Sequence, residues 1–169
     1  MAGDVPRTAD PERVLAELGE SLCTQLVEAV PAWVIGQVER IIDAWDATAP
    51  VGGVDREAVS TDALDAGRRA QRLVADRLRA LLSADLDAQA TTPLEIVRSA
   101  VVFPTAVLVR AGVPHVVRDA FDENRFPDDV YGLSPASLGA VDEALTDPAR
   151  AWGAAKAMAH KARHGSAHP

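Results

Sequence analysis

The chain has 169 residues, of which 48% are apolar, 4% aromatic and 25% charged. A chain of this length and composition can bury a sizeable core and is not disordered overall, so we expect one folded domain. Its formal net charge of −8 repels phosphate groups, which disfavours nucleic-acid binding as the main role.

The N-terminal part of the sequence predicts a short lead and a first helix. Residues 1–9 are predicted to be a disordered lead. Asp10 is a good N-cap residue, and Pro11 suits the first position of a helix. Leucines at helical spacing then predict a helix over residues 11–29, which Pro31 should end because proline has no amide hydrogen.

Pro31 can also begin a helix, and a second helix is predicted over residues 31–47. Its apolar face contains Val34 and Trp45, whereas Trp33 lies on the opposite face. We therefore expect Trp45 to be buried and Trp33 to be exposed. An exposed tryptophan would be a candidate contact for a partner or for a second copy of the chain.

A loop and a third helix follow. Residues 48–54 contain one proline and two glycines, which is typical of a loop. Possible caps at residues 60–62 and apolar residues at helical spacing predict a third helix that reaches about Leu82.

A fourth helix is predicted from a capping-box pattern at residues 92–95, Thr-Pro-Leu-Glu, and it should run to about Arg110. The helix is apolar on nearly all sides, which places it at the centre of a bundle, and Pro104 should kink it. The same segment contains two short apolar runs, at residues 101–103 and 107–109. Two buried strands therefore stay open as an alternative.

The C-terminal third changes character. Residues 113–146, called the strap below, hold several prolines and scattered charge without helical periodicity. A last helix is predicted over 148–163, and residues 165–169 are predicted to be a flexible tail. The sequence thus predicts an all-α fold, a single-domain helical bundle of four to five main helices over residues 10–164, with the strap as its irregular segment.

Features of the sequence also bear on location. The single cysteine, Cys23, cannot form an intramolecular disulfide, and the N-terminus lacks the apolar run of a secretory signal. The longest uncharged apolar stretch, residues 99–109, is about half of the roughly 20 residues that a membrane-spanning helix needs. We expect a cytoplasmic protein without membrane insertion.

No catalytic or metal-binding pattern emerges from the sequence. Cys23 has no neighbouring base that would activate it. His160 and His164 share a helix face, but no third ligand is evident, and Lys161 and Arg163 would repel a cation. We therefore predict no catalytic residue, no metal and no cofactor.

The central strap, residues 118–133, is the most distinctive segment. It contains two of the three phenylalanines and the only tyrosine of the chain. Irregular connections of this length tend to be functional or disordered, and the aromatic content argues against disorder. We expect Phe121, Phe126 and Tyr131 to anchor the segment to the bundle. Five polar residues are the candidate binding residues, Arg118, Arg125, Asp128, Asp129 and Tyr131.

Two functions stay open at this point. The first is a non-enzymatic protein-interaction or regulatory role with a protein partner, either a different chain or a second copy, because no catalytic constellation is present. The alternative is a small-molecule-binding protein or enzyme with a site between residues 118–133 and the bundle. A flat exposed apolar patch would favour the first function, and a deep cavity at the strap would favour the second.

Overall fold

A computed structural model describes residues 9–49 and 52–165, and within these two ranges the protein is helical and has no strand. The α-helices are α1 (Pro11–Asp46), α2 (Arg56–Ser83), α3 (Pro93–Ser99), α4 (Val102–Arg110), α5 (Ala120–Arg125) and α6 (Thr146–His164). Short 3-10 helices lie at Leu86–Ala88, Leu138–Ala140 and Glu143–Leu145. The predicted all-α helical bundle is confirmed. The predicted lead, apart from Ala9, and the predicted tail, apart from Gly165, lie outside the described residues.

α1 is the central element of the bundle, because it contacts α2, α4 and α6. One stripe of its side chains, spaced four residues apart, is exposed by no more than 1%: Leu22, Leu26, Val30, Val34 and Val38. This spacing aligns the stripe along one helix face, as the leucine and valine pattern predicts.

The predicted break at Pro31 is wrong, because α1 continues through this residue. Pro31 cannot donate a hydrogen bond to the carbonyl of Val27, four residues earlier. That carbonyl instead accepts a hydrogen bond from Gln71 Nε2 of α2, at 3.0 Å. A Cβ atom on Gly67 would lie 3.2 Å from the Pro31 Cα and carbonyl oxygen, so α2 approaches α1 closely at this point. The neighbouring helix therefore supplies the bond that the proline removes.

The predicted environments of two tryptophans are also wrong. Trp33 is 5% exposed and lies in the hydrophobic core, so it is not available as a partner contact. Trp45 is only partly buried and lies in the last turn of α1. The physical reason is that neighbouring helices cover α1 on more than one side. The sequence prediction assumed one buried face and one exposed face for this helix.

The predicted fourth helix is divided into α3 and α4, with Ala100 and Val101 between them. Pro104 is the third residue of α4, and its ring would clash with the carbonyl four residues earlier, that of Ala100, in an uninterrupted helix. The helix therefore breaks before the proline instead of kinking at it, and the strand alternative is not realised. α4 is not central either, because Val102 and Val109 are 49% and 53% exposed.

The capping box that opens α3 forms as predicted. Thr92 Oγ1 accepts from the Glu95 amide at 3.3 Å, and Glu95 Oε2 accepts from the Thr92 amide at 2.9 Å.

Among the described residues, none of the helices combines the length and the apolar character that a bilayer crossing requires.

Candidate functional site

Two buried polar side chains form hydrogen bonds within the strap. Asp129 is 4% exposed, and its two carboxylate oxygens accept hydrogen bonds from the amides of Leu133 and Ser134, at 2.7 and 2.8 Å. Tyr131 is 2% exposed and donates its hydroxyl hydrogen to the carbonyl oxygen of Val113, at 2.7 Å. The polar atoms of both residues are therefore already bonded within the fold, and the two side chains stabilise the strap itself.

Exposed aromatic and charged side chains of the strap lie on α5 and in the residues beside it. The helix begins at a cap in which Asp119 accepts from the Asp122 amide at 2.8 Å. Phe121 is 67% exposed, so the expectation that it anchors the strap is wrong. The six-residue helix buries none of its side chains, because it lies on the surface of the bundle. Phe126 is partly buried and Tyr131 is buried, as expected.

Two cationic side chains lie near the ring of Phe126. The guanidinium carbon of Arg98 is 5.7 Å from the centre of the Phe126 ring, and that of Arg125 is 5.3 Å from it. Arg125 is also 5.7 Å from the centre of the Phe121 ring. Cation–π contacts of this kind hold a guanidinium near a ring without consuming its hydrogen-bond donors.

A cavity of about 460 Å³ lies between α5, the following part of the strap and α3. This volume falls within the range typical of small-molecule sites. Its wall contains three arginines, two aspartates and two phenylalanines: Arg98, Arg118, Arg125, Asp122, Asp129, Phe121 and Phe126. An adjoining hollow of about 530 Å³ shares Arg98, Arg125, Phe126 and Asp129 and adds Asp128 and Val102.

The three arginines of the cavity keep spare donors. Arg98 donates from Nε to the Pro135 carbonyl at 2.9 Å and from Nη2 to the Ala136 carbonyl at 3.4 Å. Arg118 donates from Nη1 to the Phe126 carbonyl at 2.7 Å. Within the described ranges, Arg125 makes no hydrogen bond, and none of the three arginines forms an ion pair.

The balance of charge in the cavity is therefore positive. Each guanidinium has five N–H donors, and backbone carbonyls use only some of them. The Asp129 carboxylate is already occupied by backbone amides, which leaves Asp122 as the free acid of the wall. In a chain with a net charge of −8, this cavity is locally cationic, and an anionic group would complete the hydrogen bonding of its arginines.

The structure brings together part of the predicted set of site residues. Arg118, Arg125 and Asp129 line the cavity, and Asp128 lines the adjoining hollow. Tyr131 lines neither, because its side chain is directed to the Val113 carbonyl. Arg98, which belongs to α3, is not among the residues predicted from the sequence. The signal that could have found it is a charged residue within an otherwise apolar helical segment.

Cys23 is the lone thiol of the chain, and it is 7% exposed on α1. Burial raises its pKa from 9.0 to about 11. At pH 8 the thiolate fraction should then be about a hundredfold lower than in the unfolded chain, since each pKa unit changes it about tenfold. We expect iodoacetamide to alkylate the native protein at least about a hundredfold more slowly than the guanidinium-unfolded protein. Equal rates would contradict the burial of this thiol.

No protein-family model matches the chain, and neither the curated proteins nor the solved structures include one that is significantly similar to it. By its fold and its site, the chain is an all-α bundle protein with an arginine-lined cavity between the strap and α3.

Proposed function

We propose that this protein is a non-enzymatic binding protein that accepts an anionic group, a carboxylate or a phosphate, in the cavity between the strap and α3. The observation that supports this proposal is the convergence of Arg98, Arg118 and Arg125 on one cavity, where none of the three forms an ion pair in the described ranges. Arginine is suited to planar, bidentate recognition of both kinds of anion.

The composition of the cavity wall favours binding over catalysis. Among the described residues that line it there is no histidine, cysteine, lysine or tyrosine. Its two acids are Asp129, which is occupied by backbone amides, and Asp122. General acid–base or nucleophilic catalysis needs a positioned group with an accessible proton or lone pair. The wall offers only Asp122 and Ser134 for such a role, whereas its three arginines supply several donors for holding a charged ligand.

A protein partner is a second candidate, and the apolar surface near the site favours it. Phe121 is 67% exposed at the cavity, and Val117 is fully exposed just before α5. Exposed aromatic residues beside arginines are typical of interaction hot spots. In this version the anionic group belongs to an acidic segment of another protein, and the role is regulatory.

A cytoplasmic location is part of either proposal, since a single cysteine suits a reducing compartment.

Anion binding can be tested with two small probes, inorganic phosphate and succinate, by isothermal titration calorimetry at low ionic strength. We expect Arg125→Gln to weaken binding at least about tenfold, because a hydrogen bond to a charged group contributes about 1.5–3 kcal/mol. Arg125 is exposed and makes no hydrogen bond in the described ranges, so the loss of its cation–π contacts should lower stability by no more than about 1 kcal/mol. The double variant Arg118→Gln/Arg125→Gln should lose binding entirely.

Arg150→Gln is the matched control, because Arg150 is exposed on α6 and does not line the cavity. It should bind both probes as the wild type does. If Arg125→Gln and Arg150→Gln have the same effect, the binding is nonspecific and the site is wrong. Phe121→Ala distinguishes a small anionic ligand from a protein partner. The substitution should leave phosphate affinity unchanged, because phosphate has no apolar surface to bury against the ring, and it should lower the affinity for a protein partner.

A further inference from the structure

Three side chains with metal-ligating atoms meet where α6 ends. His160 and His164 lie one helical turn apart on α6, and Asp87 lies in the 3-10 helix Leu86–Ala88. The Asp87 Oδ1 atom is 3.0 Å from His164 Nε2 and 3.5 Å from His160 Nδ1. The three ligand atoms all lie within 4.8 Å of one another. Ligand atoms around a tetrahedral zinc ion are about 3.3 Å apart, because each bond is about 2.0–2.1 Å long.

The tertiary structure removes one of the two sequence-based objections to a metal here and weakens the other. The first was the missing third ligand, which Asp87 now supplies from a segment more than 70 residues away in the chain. The second was repulsion by Lys161 and Arg163, of which Lys161 is exposed to solvent and Arg163 is held in ion pairs. The Arg163 guanidinium donates to Glu12 Oε1 at 2.5 Å, to Asp85 Oδ1 at 2.8 Å and to Asp87 Oδ2 at 3.3 Å. Three carboxylates thus surround one guanidinium, and the cluster keeps an excess of negative charge.

The contact between Arg163 and Asp87 also orients the ligand. Arg163 holds the Oδ2 atom of Asp87, which leaves Oδ1 directed at the two imidazoles. The Asp85 side chain accepts from the Asp87 amide at 3.0 Å and fixes the backbone of the same turn. Outer partners of this kind orient the ligands in known metal sites. The histidines lie in the last turns of α6, where the helix dipole favours cations.

We propose that Asp87, His160 and His164 bind one zinc-class divalent transition metal ion per chain. Two imidazoles and one carboxylate suit zinc, whereas magnesium and calcium prefer oxygen ligands alone. All three side chains are exposed, with exposed fractions of 44%, 62% and 55% in the order given, so a fourth coordination position is open to water. The bound ion links the connection after α2 to the end of α6 and stabilises the fold. This site is separate from the strap cavity.

The site is tested on the full chain, untagged and purified without a metal column, by titration with Zn²⁺ and by the visible absorption of bound Co²⁺. We expect one ion per chain and a rise in Tm with Zn²⁺, but neither effect with Mg²⁺. His164→Ala and His160→Ala should abolish binding, and Asp87→Asn should weaken it at least about tenfold. These residues are exposed, so circular dichroism of each variant should match the wild type.

Two controls make the result decisive. Asp147→Asn removes an exposed carboxylate at the opposite end of α6, and His115→Ala removes a histidine of the strap; both should bind Zn²⁺ as the wild type does. If Asp87→Asn binds as tightly as the wild type, the ion is held by the histidine pair alone and the three-residue site is wrong. Absence of stoichiometric binding to the wild type would also overturn it.

Discussion

Replacing Asp129 with alanine should lower the free energy of unfolding by about 3 kcal/mol or more, although a polar residue of an irregular segment is usually tolerant to change. The carboxylate is 4% exposed and accepts from two backbone amides, those of Leu133 and Ser134. Hydrogen bonds to charged groups contribute about 1.5–3 kcal/mol each, and the buried Leu133 amide and the partly buried Ser134 amide would lose this partner. Urea denaturation followed by circular dichroism measures the change.

Asp128 provides a matched control, because it is the preceding residue of the same turn and is exposed. Asp128→Ala should change stability by no more than about 0.5 kcal/mol. Asp129→Asn should fall between the two, since an amide offers one oxygen where the carboxylate offers two. If both alanine variants are equally mild, Asp129 does not hold the strap. The Asp129→Ala variant should also lose anion binding, because the strap forms one side of the cavity.

Gly67→Val should lower the free energy of unfolding by about 2–4 kcal/mol. A Cβ atom at this position would already lie 3.2 Å from the Pro31 Cα and carbonyl oxygen, and backbone atoms of the central helix cannot turn aside. Overpacking of this kind typically costs about 1–3 kcal/mol. Separation of the helices would also break the hydrogen bond from Gln71 to the Val27 carbonyl, at a further cost of about 1 kcal/mol.

Gly153→Val is the corresponding control on α6. A Cβ atom there would meet nothing within 4 Å, so the same substitution should leave stability within about 0.5 kcal/mol of the wild type. Thermal and urea denaturation of both variants would show the difference. Equal effects would mean that the close contact of α1 and α2 at Pro31 does not govern the stability of the bundle.

Features encoded within a few residues were predicted well from the sequence. The Asp10 cap forms, with Asp10 Oδ1 accepting from the Glu12 amide at 3.1 Å. The capping box of Thr92 and Glu95 also forms. The apolar spacing of Leu22 and its successors marks the buried stripe of α1. Caps and periodic stripes depend on neighbours within one or two helical turns, and the order of residues alone specifies those neighbours.

The outcome at Pro31 and the composition of both proposed sites were decided by tertiary structure. Proline locally favours a helix break, yet Gln71, 44 residues away, supplies the lost hydrogen bond and the helix continues. Arg98 joins the strap cavity through carbonyls 37 and 38 residues further along the chain. Asp87 likewise completes the histidine pair of α6. These three features depend on contacts between segments that are distant in the sequence. The hydrogen-bond partner comes within reach in each case only when the helices pack.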